Sequence, residues 1–191
     1  LLKQYVWRDH QAEDGLAGLL TVLGVKFTTA RDVAEKSIDL AIRKLGQPAR
    51  KSPTQHMPIH GGQIERFDDY VRAEAQKQTC GLRPAIVKHL VHNYGAGYSE
   101  LLRYCEENPD WKLPVGAGTE VLQAEVIHGM RAEMGLKLAD VVMSRTELGK
   151  AGNPGKEAVQ KGADIMAAEL GWNQTRVEAE IAEVEALYVP A

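Results

Sequence analysis

Residues 46–63, GQPARKSPTQHMPIHGGQ, put three prolines and three glycines in one run. Proline removes an amide donor and fixes φ, and glycine gives up the most backbone entropy in any regular element. Such a stretch reads as a loop or linker, and it is the best domain boundary in the chain. We place the linker at 47–63, a first part at 1–46 and a second at 64–191.

The first part reads as strand, turn, strand, helix. Residues 3–9 (KQYVWRD) are rich in strand formers and alternate roughly. Asp14-Gly15 and Gly18 predict a turn over 11–18. Residues 19–23 are continuously apolar, as in a strand buried on both faces. A helix is predicted from about Thr29 to Leu45, with Ala34, Ile38, Ala41 and Leu45 on its inward stripe. Thr29-Ala30-Arg31-Asp32 resembles a capping box, and Asp32–Lys36 and Asp39–Arg43 are i,i+4 pairs. Two strands and one helix are too few for a stable sheet domain, and the chain opens as though inside a strand. The expectation is therefore a fragment of a longer protein.

The second part carries helical periodicity and almost no strand signal. Helices are predicted at 66–78, 83–93, 97–107, 118–133, 137–146, 155–170 and 174–188. Asn153-Pro154 reads as a helix start and Gly171 as its stop, with Val159, Ala163, Met166 and Leu170 on one stripe. Asn173 opens the next helix, whose stripe is Val177, Ile181, Val184 and Tyr188. The expected fold class is an α+β fragment: a short strand pair and helix, then an all-α helical domain.

Bulk properties exclude several functions. A net charge of −3 gives no footprint for nucleic acid. No apolar run approaches the ~20 residues that cross a bilayer. Cys80 and Cys105 form no C-x-x-C, so both thiols read as structural and reduced.

The chemistry concentrates in LLTVLGVKFTTARDVAEK, residues 19–36. A strand ends at Gly24, one cation follows at Lys26, and a helix begins on two threonines. A helix N-terminus offers free N–H groups and partial positive charge, and Lys26 adds a full one. By itself this pattern is a plausible anion site or an ordinary connection.

The same stretch, with Arg8-Asp9-His10 upstream, resembles the end of the flavin domain in FAD-dependent glycerol-3-phosphate dehydrogenases. That family shows an Arg-[DN]-[HY] strand and L-[LI]-[ST]-V-x-G-G-K-x-T-T-x-R-x-x-A-E. The matches are Leu19, Leu20, Thr21, Val22, Gly24, Lys26, Thr28, Thr29, Arg31, Ala34 and Glu35. Residues 124–149 are similar to the family's helical C-terminal domain, through Glu125, Glu133, Met134, Leu138, Asp140, Arg145 and Thr146. Val25 stands where the family has a second glycine, and Ser144 where an arginine is common.

The resemblance implies that the strand pair and helix complete an FAD-binding α/β domain. It implies substrate-binding roles for Arg8 and Lys26, and contacts from Lys26, Phe27, Thr28 and Thr29 to the pyrimidine edge of FAD. No residue here is implied as catalytic. The implied partners are glycerol 3-phosphate, a quinone or oxygen as electron acceptor, missing flavin-domain segments and a second copy. The cysteine usage sets the expected location as cytoplasmic, and the resemblance adds peripheral contact at the inner face of a membrane as an option. The flavin domain's nucleotide-binding glycine motif is absent from these residues, so the chain alone is expected to be inactive. Competing readings are a non-enzymatic helical interaction module and a flavin oxidase for another substrate.

Other motifs carry less. His89 and His92 share a helix face but lack a third ligand at a telling spacing. His56 and His60 fall in the proline-rich loop. Gly95-Ala96-Gly97 and Gly116-Ala117-Gly118 read as helix-linking turns. Glu125, Glu133 and Asp140 are expected to pair with Arg131 and Arg145. EAEIAEVEAL at 178–187 is expected to be a solvated face.

Overall fold

The computed structural model describes residues 5–24 and 26–189. The chain divides into two units, Leu1–Pro58 and Ile59–Ala191.

In the first unit, β1 (Val6–Asp9) and β2 (Leu20–Leu23) pair antiparallel, with Arg8 opposite Thr21 and Val6 opposite Leu23. The predicted turn contains a one-turn helix, α1 (His10–Asp14). Asp9 caps it by accepting from Gln11 N–H at 3.1 Å, and Gly15 ends it at φ +73°. The sequence signal was only the Asp14-Gly15 stop, because five residues are too short to show a period.

The helix α2 (Ala30–Lys44) enters through a 3₁₀ turn at Phe27–Thr29. That turn corrects the predicted capping box. Thr29 makes no side-chain cap, because the 3₁₀ turn already engages the entry N–H groups through Lys26 O and Phe27 O. Asp32 instead accepts from Lys36 at 2.8 Å and Tyr5 at 3.0 Å.

The inward face of α2 also differs from expectation. Val33 is buried, whereas Ile38 and Leu45 are 59% and 75% exposed. The strand side offers polar partners, so the polar edge of α2 turns toward it. Trp7 Nε1 donates to Ser37 Oγ at 2.8 Å, and Lys44 Nζ donates to Asp9 at 2.7 Å. Ala34, Ile38 and Ile42 instead wall a groove of about 370 Å³ with Arg50–Thr54. β2 is likewise half-buried to exposed, not buried on both faces, since α2 covers one face only.

The second unit is helical: α3 (Phe67–Gln76), α4 (Pro84–Tyr94), α5 (Tyr98–Glu107), α6 (Gln123–Arg131), α7 (Leu138–Asp140), α8 (Lys156–Leu170) and α9 (Gln174–Ala186). Among the described residues, its strand content is one isolated bridge, Pro114–Leu122. That bridge delays α6 relative to the predicted start at 118. Residues Val141–Arg145 form a π-helix after α7.

Two apolar clusters meet at α6. One gathers Val71, Leu82, Ile86, Val87, Leu90 and Leu101 of the α3–α5 side. The other gathers Leu138, Val142, Val159, Ala163, Met166, Val177 and Val184 of the α7–α9 side. Gln123 to Met130 are all buried, so α6 is the central helix. Gly129 fits there because a Cβ would stand 3.1 Å from Arg145 Cβ.

Caps explain the ends of α8 and α9. Gly171 terminates α8 at φ +70°, and Asn173 Oδ1 accepts from Arg176 N–H at 2.9 Å to start α9. The start of α8 is a correction. The cap position is Gly155, at φ +87°, and Asn153 instead turns the preceding loop by accepting from Gly155 N–H at 2.8 Å. The backbone runs close to itself at Gly61 and Gly95, where a Cβ on Gly95 would fall 2.2 Å from Gly61 O. No helix among the described residues is long and apolar enough to cross a membrane.

Candidate functional site

Residues paired across a ladder share a face, so Val6, Arg8, Thr21 and Leu23 lie together. Trp7 and Asp9 point the other way, onto α2. The Arg8 face is therefore the side away from α2, and Val6 and Leu23 are 47% and 46% exposed there. Gly24 follows with φ +78°, a conformation that glycine adopts without strain. Val25, the departure from the family pattern, lies outside the described residues. Lys26 and Thr28 are exposed, Phe27 is fully exposed, and Thr29 is half-buried at the α2 entry.

The structure thus places Lys26, Phe27, Thr28 and Thr29 together in one turn at the end of β2. Arg8 is three ladder positions from Gly24, on the order of 10 Å along the strand. A 15-residue helix opening beside an exposed lysine is chemically suited to a group that carries or develops negative charge.

Arg8 has partners that sequence reasoning missed. Its guanidinium reaches Asp14 at 3.0 Å and Glu13 at 2.6 Å. His10 completes the cluster, with Nδ1 at 2.5 Å from Asp14 and Nε2 at 2.8 Å from Thr21 Oγ1. The available signal was His10-x-x-x-Asp14, an i,i+4 pair hidden in a presumed turn.

The second unit holds a buried polar network. Glu125 is 1% exposed. It accepts from Leu122 N–H at 2.7 Å, Tyr94 Oη at 3.0 Å and His89 Nε2 at 3.1 Å. Burial alone would lower the His89 pKa, but the Glu125 hydrogen bond and charge outweigh it and raise it. Burial, then Glu125, pushes Tyr94 far up, so the phenol stays a donor. The expected arginine pairing of Glu125 is thereby corrected: its partners are a histidine, a tyrosine and a backbone amide. Arg131 instead bridges Glu107 and Glu169 at 2.9 and 2.6 Å and lies over Tyr104 and Trp111. Asp140 caps Lys137 N–H at 3.1 Å, and Arg145 approaches Glu133 only to 4.0 Å.

Two further expectations resolve here. Glu180, inside the supposed solvated face, is 2% exposed and accepts from Leu138 N–H at 2.8 Å. His92 stacks edge-on against Phe67 rather than joining His89. Among the described residues no three His, Cys, Asp or Glu side chains gather to hold a metal. Cys80 and Cys105 are free thiols, with Cys105 pushed up to about 11 by burial.

A family model described as the C-terminal domain of alpha-glycerophosphate oxidase matches residues 52–177. A glycerol-3-phosphate dehydrogenase of Mycobacterium leprae is 30% identical over 186 residues, covering 94% of this chain and 31% of its own length. A probable mitochondrial glycerol-3-phosphate dehydrogenase of Dictyostelium discoideum is 30% identical over 178 residues, covering 92% of this chain and 27% of its own. The solved glycerol-3-phosphate dehydrogenase of Bacillus halodurans, complexed with FAD, aligns with a TM-score of 0.70 at 24% identity. That alignment covers 89% of this chain and 35% of the other. The chain spans about a third of the length of these relatives. The match over more than half of its residues shows that this chain belongs to the family of the C-terminal domain of alpha-glycerophosphate oxidase.

Proposed function

We propose that the chain is the C-terminal part of a flavoprotein that oxidises sn-glycerol 3-phosphate to dihydroxyacetone phosphate. The observation that carries this reading is the exposed Lys26–Thr29 turn at the entry to α2, beside the sheet face that bears Arg8 on the side away from α2. The names of the relatives support the substrate.

FAD would supply the hydride acceptor, and electrons would leave to a quinone or oxygen. Lys26 and the opening turn of α2 would stabilise negative charge on the pyrimidine side of the ring. Thr28 would present hydroxyl and backbone donors, Thr29, whose N–H and hydroxyl both turn back to Lys26 O, would hold the shape of the turn, and Phe27 would cover an apolar edge. Arg8 would bind the substrate phosphate through its forked donors, replacing the carboxylates of Asp14 and Glu13. The chain alone would not retain flavin. A second copy or a membrane surface would be a further partner of the longer protein.

The test uses the longer protein. Arg8→Ala should raise KM for glycerol 3-phosphate about 10- to 100-fold, the loss of one or two charge-assisted hydrogen bonds. An unchanged KM would show that Arg8 does not hold the phosphate, and no turnover of glycerol 3-phosphate by the unsubstituted protein would favour a flavin oxidase acting on another substrate.

A further inference from the structure

A polar cleft of about 230 Å³ opens in the second unit, lined by Asn93, Tyr94, Glu133, Arg145, Glu147 and Lys150 among others. All of its lining residues belong to the second unit, whereas Arg8 and Lys26 belong to the first. Its rim is the end of a π-helix, and such segments recur at functional sites. Beneath it lies the Glu125–His89–Tyr94 network, whose charge is internally balanced when His89 is protonated.

The lining charges are not closed on one another. Arg145 Nε stands 4.0 Å from Glu133, Glu147 stands 3.9 Å from His89 Nδ1, and His128 Nε2 stands 3.9 Å from Glu133. All three are longer than a hydrogen bond. Two cations, Arg145 and Lys150, and two carboxylates, Glu133 and Glu147, therefore face one volume with unspent capacity. Tyr94 donates its hydroxyl hydrogen bond to Glu125, which leaves its oxygen as an acceptor.

This balance discriminates among ligands. A plain anion would meet the two carboxylates, and a plain cation would meet Arg145 and Lys150. A divalent metal lacks a set of three ligands among the described residues. A compact zwitterion answers both halves. We propose that the cleft binds a small oxyanion–ammonium zwitterion, with its oxyanion on Arg145 and Lys150 and its ammonium on Glu133, Glu147 and the Tyr94 oxygen. The ligand is either a free metabolite or the headgroup of an aminophospholipid.

Backbone amide shifts of the isotope-labelled 191-residue chain test this. Phosphoethanolamine should give saturable shifts confined to the segments around 93–94, 133 and 144–150. Inorganic phosphate and ethanolamine should each bind about tenfold weaker or worse, because each engages half of the site. Vesicles containing phosphatidylethanolamine form a second arm. Binding to them without binding of free phosphoethanolamine assigns the headgroup source, and the reverse assigns the metabolite. Arg145→Gln and Glu147→Gln should each weaken binding about tenfold. Glu147 is 52% exposed, so its variant keeps the test open should the Arg145 variant not fold. Inorganic phosphate binding as tightly as the zwitterion overturns the proposal. So does the absence of saturable shifts in both arms.

Discussion

The buried Glu125 should be the most consequential polar side chain of the helical unit. Glu125→Ala removes three hydrogen bonds at once and strands the Leu122 amide, the Tyr94 hydroxyl and His89. Breaking a buried charge pair from one side costs about 3–5 kcal/mol. That is a large share of the ~5–15 kcal/mol that holds a typical domain. The His89 part should carry a pH signature. Its folded pKa is raised, so its contribution is fully present below the unfolded value near ~6.5 and disappears as pH rises through the folded value. A double-mutant cycle of Glu125→Ala with His89→Gln isolates it. Urea unfolding followed by circular dichroism should give a coupling of about 1.5–3 kcal/mol at pH 6 that shrinks toward pH 9. A coupling that is flat with pH, or grows with it, would show that His89 is not a protonated partner of Glu125.

Other outcomes follow from single contacts. Gly95→Ala should destabilise by about 2–4 kcal/mol in the same assay, since a Cβ meets the Gly61 carbonyl and φ is +56°. Replacing Gly118, at φ +79° in open space, should cost about 1 kcal/mol, so equal costs at the two sites would refute the clash. Arg131→Met should cost about 1–2 kcal/mol, from two ion pairs and two aromatic contacts, and less in high salt. A salt-independent loss would assign it to packing instead. The 191-residue chain, purified alone, should show no flavin absorbance; copurifying flavin would overturn the assignment of FAD binding to the longer protein.

Legibility in the sequence tracked the kind of physics involved. The stripes of α8 and α9 were readable because one apolar core faces each helix, and Gly171 and Asn173 act locally. The stripe of α2 misled because Ala34 and Ile38 turn away from a strand pair that offers Tyr5, Trp7 and Asp9 as polar partners. Glu125 looked like an arginine's ion-pair partner and Glu180 like surface charge, because burial by distant helices leaves no local trace. The π-helix at Val141–Arg145 has no sequence period of its own at that length. At the candidate site, the Lys26–Thr29 turn was legible from Gly24 and the threonines. The Arg8 carboxylate partners were not, since α1 was too short to declare itself.

The central claim is that Lys26 and the entry of α2 face the flavin. The midpoint potential of the flavin in the longer protein, with Lys26→Met against the unsubstituted form, tests it most directly. Removing one nearby positive charge destabilises the reduced, anionic ring by about 1–2 kcal/mol. For a two-electron couple this lowers the potential by about 20–40 mV. A potential unchanged by the substitution, in protein that still holds its flavin, would contradict the placement of this turn at the ring.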